Sequence, residues 1–314
     1  MSQTLHTRLG GIHAATIVPM RPDFSIDEAA LVAHLQWVTG TPGIKGVLIN
    51  GHAGENFVLT SAEKRRVVEL TRQSVPPDCL ICSGINHESS LEAAKEAAAA
   101  EAAGADVLLV FPPNSFALAQ DPRCAALHQA HVRDACSLPL LVYGAALNAG
   151  AMSYPPETLV QLTQDERVVG IKDGSWEVAA YEANWRLFES RRDTFAVLGS
   201  GDEHLLATYM VGTHGSQVSL AALAPALIVA LYDAAMAKDW DKARALHDQV
   251  YPLARAIYRE APGGRATARI KHALQLLGHL QSDAVRPPQP ALDDREHQLI
   301  EQALQSASLP MRST

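Results

Sequence analysis

Short apolar runs and amphipathic segments alternate along the first two-thirds of the chain, and this alternation predicts the order of its secondary structure. Each apolar run leads into a turn rich in Gly, Pro or Asn and then into a helical segment. Most runs are continuously apolar, which is typical of parallel strands that are covered on their outer face. The runs predict eight strands, at residues 12–18, 46–49, 80–83, 107–110, 140–142, 168–171, 195–198 and 215–218.

Three of the predicted helices begin with a Ser or Thr that is followed three residues later by Glu. The pairs are Ser25–Glu28, Thr60–Glu63 and Ser89–Glu92. This is the spacing of a capping box, in which the hydroxyl and the carboxylate satisfy backbone N–H groups that lack partners at a helix start. We therefore expect a helix to begin directly after the first residue of each pair.

Strand signals end near Leu223, and the remaining sequence has the pattern of helices. Further helices are expected over residues 265–277 and 293–306. Eight strand–helix units over roughly 220 residues predict an α/β fold, a (β/α)8 TIM barrel, at residues 1–224, with a C-terminal helical region at 225–314 packed on it. A doubly wound sheet has the same local pattern and is the alternative. An apolar stripe marks the first C-terminal helix at Ala243, Leu246, Val250, Leu253 and Ile257.

Composition and charge narrow the class of protein. The 314 residues are 47% hydrophobic and 19% charged, which excludes a disordered chain. The net charge of −8 and the lack of a long Lys/Arg run disfavour nucleic acid or an anionic membrane as a partner. No apolar stretch approaches about 20 residues, so we expect no membrane-spanning helix. Four cysteines and an N-terminus without a signal-peptide profile indicate a soluble cytoplasmic protein.

The strongest chemical signal is a tyrosine and a lysine at the ends of neighbouring strands. Active sites of TIM barrels lie at the carboxyl ends of the strands, where strand five delivers Tyr143 and strand six delivers Lys172. Desolvation there lowers the pKa of a lysine and favours the neutral amine that a Schiff-base nucleophile needs. A nearby phenol can relay a proton. The alternative is that Lys172 reaches solvent or pairs with Asp173.

Glycine-rich turns follow two other strands. Residues 51–55, GHAGE, form either a nest of N–H groups that can bind a carboxylate or a plain tight turn. Asp202 and Glu203 follow strand seven, where they suit substrate hydroxyls or a helix N-terminus. The 13 histidines show no metal-ligand spacing and no nucleotide-binding motif occurs, so we predict neither a metal nor a cofactor.

Together these residues resemble the dihydrodipicolinate synthase/N-acetylneuraminate lyase family of class I Schiff-base aldolases. The resemblance implies a TIM barrel with C-terminal helices, a homotetramer built from two tight dimers, and aldolase chemistry on pyruvate or a related 2-oxo acid. It implies that Lys172 forms the Schiff base and that Tyr143 moves protons. The matching segments are the GxxGE turn at 51–55, Tyr143, the GIK segment at 170–173, and residues 200–202, 215–219 and 285–288.

The resemblance also implies a set of substrate contacts. The backbone N–H groups of His52 and Ala53 would hold the carboxylate of the 2-oxo acid. Asp202, Glu203 and Ser219 are similar to groups that contact sugar hydroxyls in sialic-acid lyases. The complete predicted set of binding residues is Gly51, His52, Ala53, Asn114, Ser200, Gly201, Asp202, Glu203, Gln217 and Ser219.

The chain departs from the family pattern at several positions. His52 and Ala53 replace Ser/Thr side chains, so the hydroxyl relay to the tyrosine is either missing or rebuilt with imidazole. Asn114 stands where the synthase places a tyrosine from a neighbouring subunit. Asn148 stands near the position of the arginine that binds the carboxylate of the synthase's second substrate. These departures disfavour dihydrodipicolinate synthase activity itself.

The first functional hypothesis is a Schiff-base lyase that forms or cleaves a carbon–carbon bond of pyruvate or a related 2-oxo acid. Dehydration of a 2-oxo-3-deoxy sugar acid through the same imine is the second. The third comes from another class, a barrel that binds a small acid without turnover. A phosphate-binding barrel enzyme is a more distant alternative.

Overall fold

In the computed structural model, which describes residues 4–118 and 121–312, eight parallel strands pair in chain order and close into a barrel. The predicted (β/α)8 TIM barrel is therefore confirmed, and the doubly wound alternative is wrong. The outer ends of the two predicted regions, residues 1–3 and 313–314, lie outside the described residues. The strands are β1 (Gly11–Ala15), β2 (Ile44–Ile49), β3 (Leu80–Ile85), β4 (Val107–Val110), β5 (Leu140–Gly144), β6 (Val168–Asp173), β7 (Ala196–Gly199) and β8 (Gly215–Val218).

The observed strand ends differ from the predicted ones where polar residues continue a strand. β4 and β8 have the predicted bounds, whereas β1 ends three residues earlier than expected. β5 and β6 extend beyond their apolar runs and include Tyr143 and Lys172, which face each other in the register of the two strands. The backbone positions of these two residues are therefore fixed by the hydrogen bonds between the strands and do not depend on a loop conformation.

Thirteen α-helices occur in the described part of the chain, and each of the eight barrel strands is followed by at least one helix. The helices are α1 (Leu5–Leu9), α2 (Glu28–Thr39), α3 (Ser61–Ser74), α4 (Ser90–Ala103), α5 (Pro122–Asp134), α6 (Pro156–Leu162), α7 (Val178–Leu187), α8 (Leu205–Val211), α9 (Leu220–Leu223), α10 (Pro225–Met236), α11 (Trp240–Ala254), α12 (Ala266–Leu276) and α13 (Asp294–Ser306). One π-helical turn, Arg255–Arg259, continues α11.

The predicted capping boxes have three different outcomes. The box at the start of α3 forms in full. At α4 the Ser89 hydroxyl accepts the expected backbone N–H, but the reciprocal bond is not part of the cap. The prediction of a capping box at Ser25 is wrong, because Asp27 caps α2 instead. Ser25 donates its hydroxyl proton to Asp23 at 2.6 Å, so a competing local turn takes this side chain.

The apolar core continues from the barrel into the C-terminal helices. Leu48 of β2 and Leu198 of β7 belong to the cluster that fills the barrel interior. Ile12 of β1 packs in one cluster with Ile228 of α10 and Leu253 of α11. The C-terminal helices therefore pack on the barrel as expected, while a domain boundary at residue 224 stays a prediction. No helix of the described residues has the length and apolar character needed to cross a bilayer.

Buried ion pairs tie the C-terminal region to the loop after β2. Lys271 of α12 is fully buried and is ion-paired with Glu55, the glutamate of the GHAGE turn. Glu55 also accepts the backbone N–H of Arg286 at 3.0 Å. Because an unpaired buried charge is costly, these contacts fix the loop and the C-terminal region to each other.

Candidate active site

A cavity of about 310 Å³ opens at the carboxyl ends of the barrel strands. The barrel contributes one side of it and the C-terminal region contributes the other. The barrel side consists of Ala15, Leu48, His52, Ala53, Phe57, Tyr143, Lys172, Trp176, Ser200, Asp202, Gln217 and Ser219. The C-terminal side consists of Tyr258, Gly263, Gly264, Ala266, Thr267 and Ile270.

Lys172 projects from β6 into this cavity beside the phenol of Tyr143. Its Nζ lies 5.8 Å from the centre of the Tyr143 ring. Burial lowers the pKa of Lys172 to about 8, although the nearby Asp202 and Cys82 oppose that shift. About one amine in ten is then neutral at pH 7, compared with about one in three thousand for an ordinary lysine. A lysine in this state can attack a ketone.

Asp173 does not neutralise Lys172, although it is the next residue in β6. Neighbouring side chains of a strand point to opposite faces. Asp173 accepts hydrogen bonds from the Ser175 hydroxyl at 2.7 Å and from the Asn184 amide at 2.6 Å. Lys172 forms no salt bridge within 4.0 Å among the described residues. The alternative interpretation of a surface ion pair is therefore not supported.

Tyr143 stays protonated in this setting. Its side chain is buried, and burial together with the charge of Asp173 raises the pKa of the phenol well above its ordinary value. A neutral phenol beside an amine can donate a proton to a developing oxyanion and take one back from a neighbouring atom. The geometry thus places an amine and a protonated phenol side by side at one cavity wall.

Two residues of the loop after β2, His52 and Ala53, line the cavity. Residues His52–Gly54 form a single 3₁₀ turn, and Glu55 follows in the left-handed conformation with φ of 57°. Within the described residues, the N–H groups of His52 and Ala53 donate to no protein acceptor. Since the buried Glu55–Lys271 pair holds this loop, the arrangement fits the predicted carboxylate nest.

The imidazole of His52 is packed among aromatic rings. Its centroid lies 4.7 Å from that of Phe57 in a stacked arrangement, 4.6 Å from that of Phe111 and 5.3 Å from that of Tyr143. Burial and the charge of Lys172 lower the pKa of His52 to about 3. The ring is therefore neutral near pH 7, which argues against its serving as a charged relay.

Four polar residues at the ends of β7 and β8 face the same cavity. The Asp202 carboxylate accepts the backbone N–H of Leu220 at 2.8 Å, and burial raises its pKa to about 7. Gln217 is fully buried, and neither of its amide atoms has a hydrogen-bond partner among the described residues. The Ser200 hydroxyl donates to the carbonyl of Asp173 at 2.5 Å. Ser219 completes this polar wall.

Four of the predicted binding residues do not line the cavity: Gly51, Asn114, Gly201 and Glu203. Glu203 turns toward the C-terminal region and is ion-paired with Arg259. Asn114 is exposed on the turn after β4, and its backbone N–H donates to Glu88 at 2.7 Å. Their roles as substrate contacts stay predictions.

The C-terminal wall was not anticipated from the sequence. Trp176 has a positive φ of 60° and its ring lies 5.0 Å from that of Tyr258. The Thr267 hydroxyl donates to the carbonyl of His52 at 3.3 Å, so α12 contacts the nest directly. The Gly263–Gly264 pair was the one local signal of a close approach in this region.

One group in the described chain has the side chains of a metal site, namely His272, Asp283 and His297 in the C-terminal region. His272 Nδ1 lies 2.9 Å from the Asp283 carboxylate. The two imidazoles stack with centroids 4.1 Å apart and planes 19° apart. Nitrogen lone pairs of nearly parallel rings do not converge on one point, so we interpret the group as a stacked, hydrogen-bonded cluster. None of the three lines the cavity at the carboxyl ends of the strands.

The chain is similar to known proteins over nearly its whole length. A family model described as the dihydrodipicolinate synthetase family matches residues 8–307. The 4-hydroxy-tetrahydrodipicolinate synthase of Methylobacterium radiotolerans is 30% identical over 314 residues, covering 98% of this chain and 99% of the relative. The crystal structure of dihydrodipicolinate synthase from Agrobacterium tumefaciens is 27% identical with a TM-score of 0.86, covering 97% and 100% of the two chains. A fold likeness also extends to a prophage protein of E. coli K12 solved in complex with pyruvate, at 23% identity, a TM-score of 0.87 and coverage of 96% and 99%.

Proposed function

Because this chain belongs to the dihydrodipicolinate synthetase family and is a Schiff-base lyase of that family, we propose that Lys172 forms an imine with pyruvate or a related 2-oxo acid. The family resemblance and the lyase class predicted from the sequence are confirmed. The observation that carries the proposal is the amine of Lys172, whose pKa burial lowers to about 8, beside the protonated phenol of Tyr143.

The remaining residues of the cavity receive roles that follow from their position. The N–H groups of His52 and Ala53 bind the carboxylate of the 2-oxo acid, which places its ketone toward Lys172. Tyr143 transfers protons while the carbinolamine loses water. The protonated imine then withdraws electrons from C2, so that a carbanion at C3 is stabilised as an enamine and can form or lose a bond to an aldehyde carbon.

The printed name of the curated relatives makes 4-hydroxy-tetrahydrodipicolinate synthesis a second candidate activity. Two residues count against this activity. Asn114 stands where the family resemblance implies the phenol of a tyrosine, and Asn148 stands near the position where it implies the guanidinium of an arginine. Asn148 lies in a neighbouring cavity of about 270 Å³ that also contains Arg259. Dehydration of a sugar acid would use the same imine and differs only in the bond that the enamine breaks.

Reduction with borohydride in the presence of pyruvate, followed by peptide mapping, tests the proposal. We expect a stable adduct on Lys172 and no adduct in Lys172→Arg, because a guanidinium is not deprotonated at working pH. Lys45, an exposed lysine of β2, serves as an internal control that should stay unmodified. A wild-type protein whose Lys172 is not labelled would contradict the Schiff-base mechanism and favour a binding role.

Two parts of the proposal concern the setting of the enzyme. We infer that it works in the cytoplasm, where its four cysteines, all free, would stay reduced. We also infer a homotetramer of two dimers from the family resemblance. Sedimentation equilibrium of the purified chain tests the second point, since the mass of one chain is 33.7 kDa.

A further inference from the structure

Thr267 is a hydroxyl side chain of the C-terminal wall that the catalytic scheme above does not use. It is the second residue of α12 and it lines the catalytic cavity. Its hydroxyl donates to the backbone carbonyl of His52 at 3.3 Å, across 215 positions of the chain. One hydrogen bond therefore joins the C-terminal region directly to the loop that forms the proposed carboxylate nest.

The carbonyl that Thr267 contacts belongs to the same peptide unit as one of the proposed carboxylate donors. A peptide unit is planar and trans, so the carbonyl of His52 and the N–H of Ala53 point in opposite directions. The same carbonyl accepts the backbone N–H of Glu55 at 3.0 Å, which uses the second of its two lone pairs. The Ala53 N–H itself donates to no protein acceptor among the described residues. Holding the carbonyl therefore fixes the direction of an N–H that is left for a ligand.

The other peptide unit of the nest is held in a different way. Its carbonyl belongs to Gly51, its N–H belongs to His52, and the carbonyl accepts two backbone N–H groups of its own loop at 3.0 and 3.4 Å. In the described structure the His52–Ala53 peptide has one backbone donor of this kind, and its second hydrogen bond comes from Thr267. The C-terminal region therefore contributes to the orientation of one nest peptide, while the loop orients the other by itself.

The same face of α12 also holds the end of this loop. Lys271 comes one turn after Thr267, and residues four apart lie on one face of a helix. The buried ammonium of Lys271 is ion-paired with Glu55, the last residue of the GHAGE turn. Because breaking a buried ion pair is costly, the pair keeps α12 and the loop in a fixed relative position. The Thr267 hydroxyl is therefore held within reach of the nest.

The competing arrangement of the His52–Ala53 peptide is a reversed one, in which its carbonyl and its N–H exchange directions. The turn around it is closed by the N–H of Gly54, which donates to the carbonyl of Gly51 at 3.0 Å. Reversal of the central peptide converts such a turn to type II, which needs a positive φ at Ala53. A positive φ is costly for alanine but not for glycine. The Thr267 hydrogen bond and the methyl group of Ala53 thus oppose the same reversal.

We propose that Thr267 is a positioning residue for substrate binding, whose hydroxyl holds the His52–Ala53 peptide in the orientation that offers the Ala53 N–H to the carboxylate of the 2-oxo acid. This inference rests on the proposed function and adds to it a determinant of the carboxylate site that the C-terminal region supplies. Loss of the hydroxyl then weakens the binding of the carboxylate and leaves the chemistry at Lys172 unchanged.

Two ketones separate this role from the rest of the mechanism. Pyruvate and acetone both give a methyl ketone imine on Lys172, but only pyruvate has a carboxylate. Borohydride trapping over a series of pyruvate concentrations gives a half-saturating concentration and a plateau rate, and trapping with acetone gives a second-order rate constant. The variants are Thr267→Val, which keeps the shape of the side chain without its hydroxyl, and Thr267→Ser, which keeps the hydroxyl. Thr39→Val is the matched control, since the Thr39 hydroxyl donates within α2 to the carbonyl of Leu35 at 2.7 Å and Thr39 does not line the cavity.

We expect Thr267→Val to raise the half-saturating concentration of pyruvate by about 3–10-fold, the effect of one hydrogen bond. Its plateau rate with pyruvate and its rate constant with acetone should stay within about twofold of wild type, because neither depends on the carboxylate site. Thr267→Ser and Thr39→Val should match wild type in all three quantities. A merely structural role of Thr267 would change the two ketones alike.

A double variant tests the reversal of the peptide directly. Ala53→Gly keeps the nest N–H and removes the penalty for a positive φ, so the hydroxyl of Thr267 becomes the main restraint on the peptide. Thr267→Val should then raise the half-saturating concentration of pyruvate by about threefold more in the Ala53→Gly background than in the wild-type background.

Four results would overturn the inference. An unchanged half-saturating concentration of pyruvate in Thr267→Val would show that the hydroxyl does not orient the nest. Equal losses with pyruvate and acetone would assign Thr267 to the general fold, and a loss in Thr267→Ser as large as that in Thr267→Val would assign it to packing. Additive effects in the double variant would mean that the peptide does not reverse. A wild-type protein without an adduct on Lys172 would instead contradict the proposed function.

Discussion

The two sides of the catalytic cavity are held in place by different forces. On the barrel side, Tyr143 and Lys172 stand on adjacent strands whose register is fixed by backbone hydrogen bonds. On the C-terminal side, Tyr258 and Thr267 stand on a π-helical turn and on the first turn of α12. That side is attached to the barrel through side chains, namely the shared apolar cluster and the buried pair of Lys271 with Glu55.

Because of this difference, we expect the barrel side to determine the reaction chemistry and the C-terminal side to determine which substrates fit. A strand ladder places the amine and the phenol accurately with no contribution from distant side chains, so the reacting pair is determined by local structure. The C-terminal wall forms the other side of the cavity, and we expect it to decide which substrate groups fit beside the proposed imine. The barrel side should therefore respond to substitution through kcat, and the C-terminal side through stability and substrate range.

The largest effect is expected for Lys172→Arg. The variant keeps a positive charge and the length of the side chain but has no amine that can condense with a ketone. We expect kcat to fall by at least about 10⁴-fold while the free energy of unfolding changes little. Steady-state kinetics and urea unfolding measure the two quantities. Substantial residual turnover would mean that chemistry on the barrel side does not depend on this amine.

Tyr143→Phe should have the next largest effect. The ring and its packing against Phe111 remain, at a centroid distance of 4.5 Å in the wild type, but the proton carrier is lost. Turnover should fall by about 10²–10⁴-fold with little change in pyruvate affinity. Isothermal titration with pyruvate and initial rates would separate the two. An equal loss of affinity would assign Tyr143 to binding instead of proton transfer.

The barrel side could be predicted from sequence because its signals are local. A continuous apolar run predicts a buried parallel strand, and the residue after the run is then at the barrel mouth. Tyr143 and Lys172 follow from this rule alone. The same rule pointed to Asp202, while Gln217, which lies within β8, was predicted only through the family resemblance; both line the cavity. It also suggested Glu203, which the structure turns away because Arg259, a residue from another region, pairs with it.

The C-terminal wall could not be predicted in the same way, because no periodic pattern connects it to the barrel. Tyr258 directly follows Ile257, the last residue of an apolar helical stripe, and therefore has the sequence pattern of an ordinary core residue. Its position in the cavity wall depends on the π-helical turn and on ion pairs such as Lys271 with Glu55, whose partners lie far apart in the chain. The capping box predicted at Ser25 did not form for another reason: two local hydrogen-bonding arrangements compete for the Ser25 side chain, and the one with Asp23 is observed.

Lys271→Met tests how the C-terminal wall is attached. It leaves the Glu55 carboxylate buried without its cation, so we expect a loss of about 3–5 kcal/mol in the free energy of unfolding by urea. Pyruvate affinity should also weaken, because Glu55 holds the nest. Lys95→Met, which removes an exposed pair with Glu92, is the control and should show no resolvable change. Adding Glu55→Gln to Lys271→Met should restore part of the stability, and failure to do so would argue against charge burial as the cause.

The pH dependence of imine formation should reflect Lys172. Only the neutral amine attacks the ketone, and burial lowers the pKa of this group to about 8. The rate should therefore rise by about 50-fold from pH 6 to pH 8 and level off above that range. Rapid borohydride quenching at a series of pH values measures it. A plateau that begins only above pH 10 would show that Lys172 has an ordinary pKa and that the barrel side does not activate it.

The smallest effect is expected for His52→Asn. This variant tests whether the imidazole takes the place of the Ser/Thr hydroxyl relay that the family pattern implies. Its pKa is lowered to about 3, so the ring carries no charge in the range where Lys172 titrates, and its closest neighbours are Phe57 and Phe111. Asparagine keeps the backbone N–H that the nest needs. We expect kcat to change by less than about threefold, and we expect the acid limb of the pH profile of kcat to stay at the same pH. A displaced limb would mean that the imidazole does exchange protons with Tyr143, and the barrel side would then contain a third chemical group.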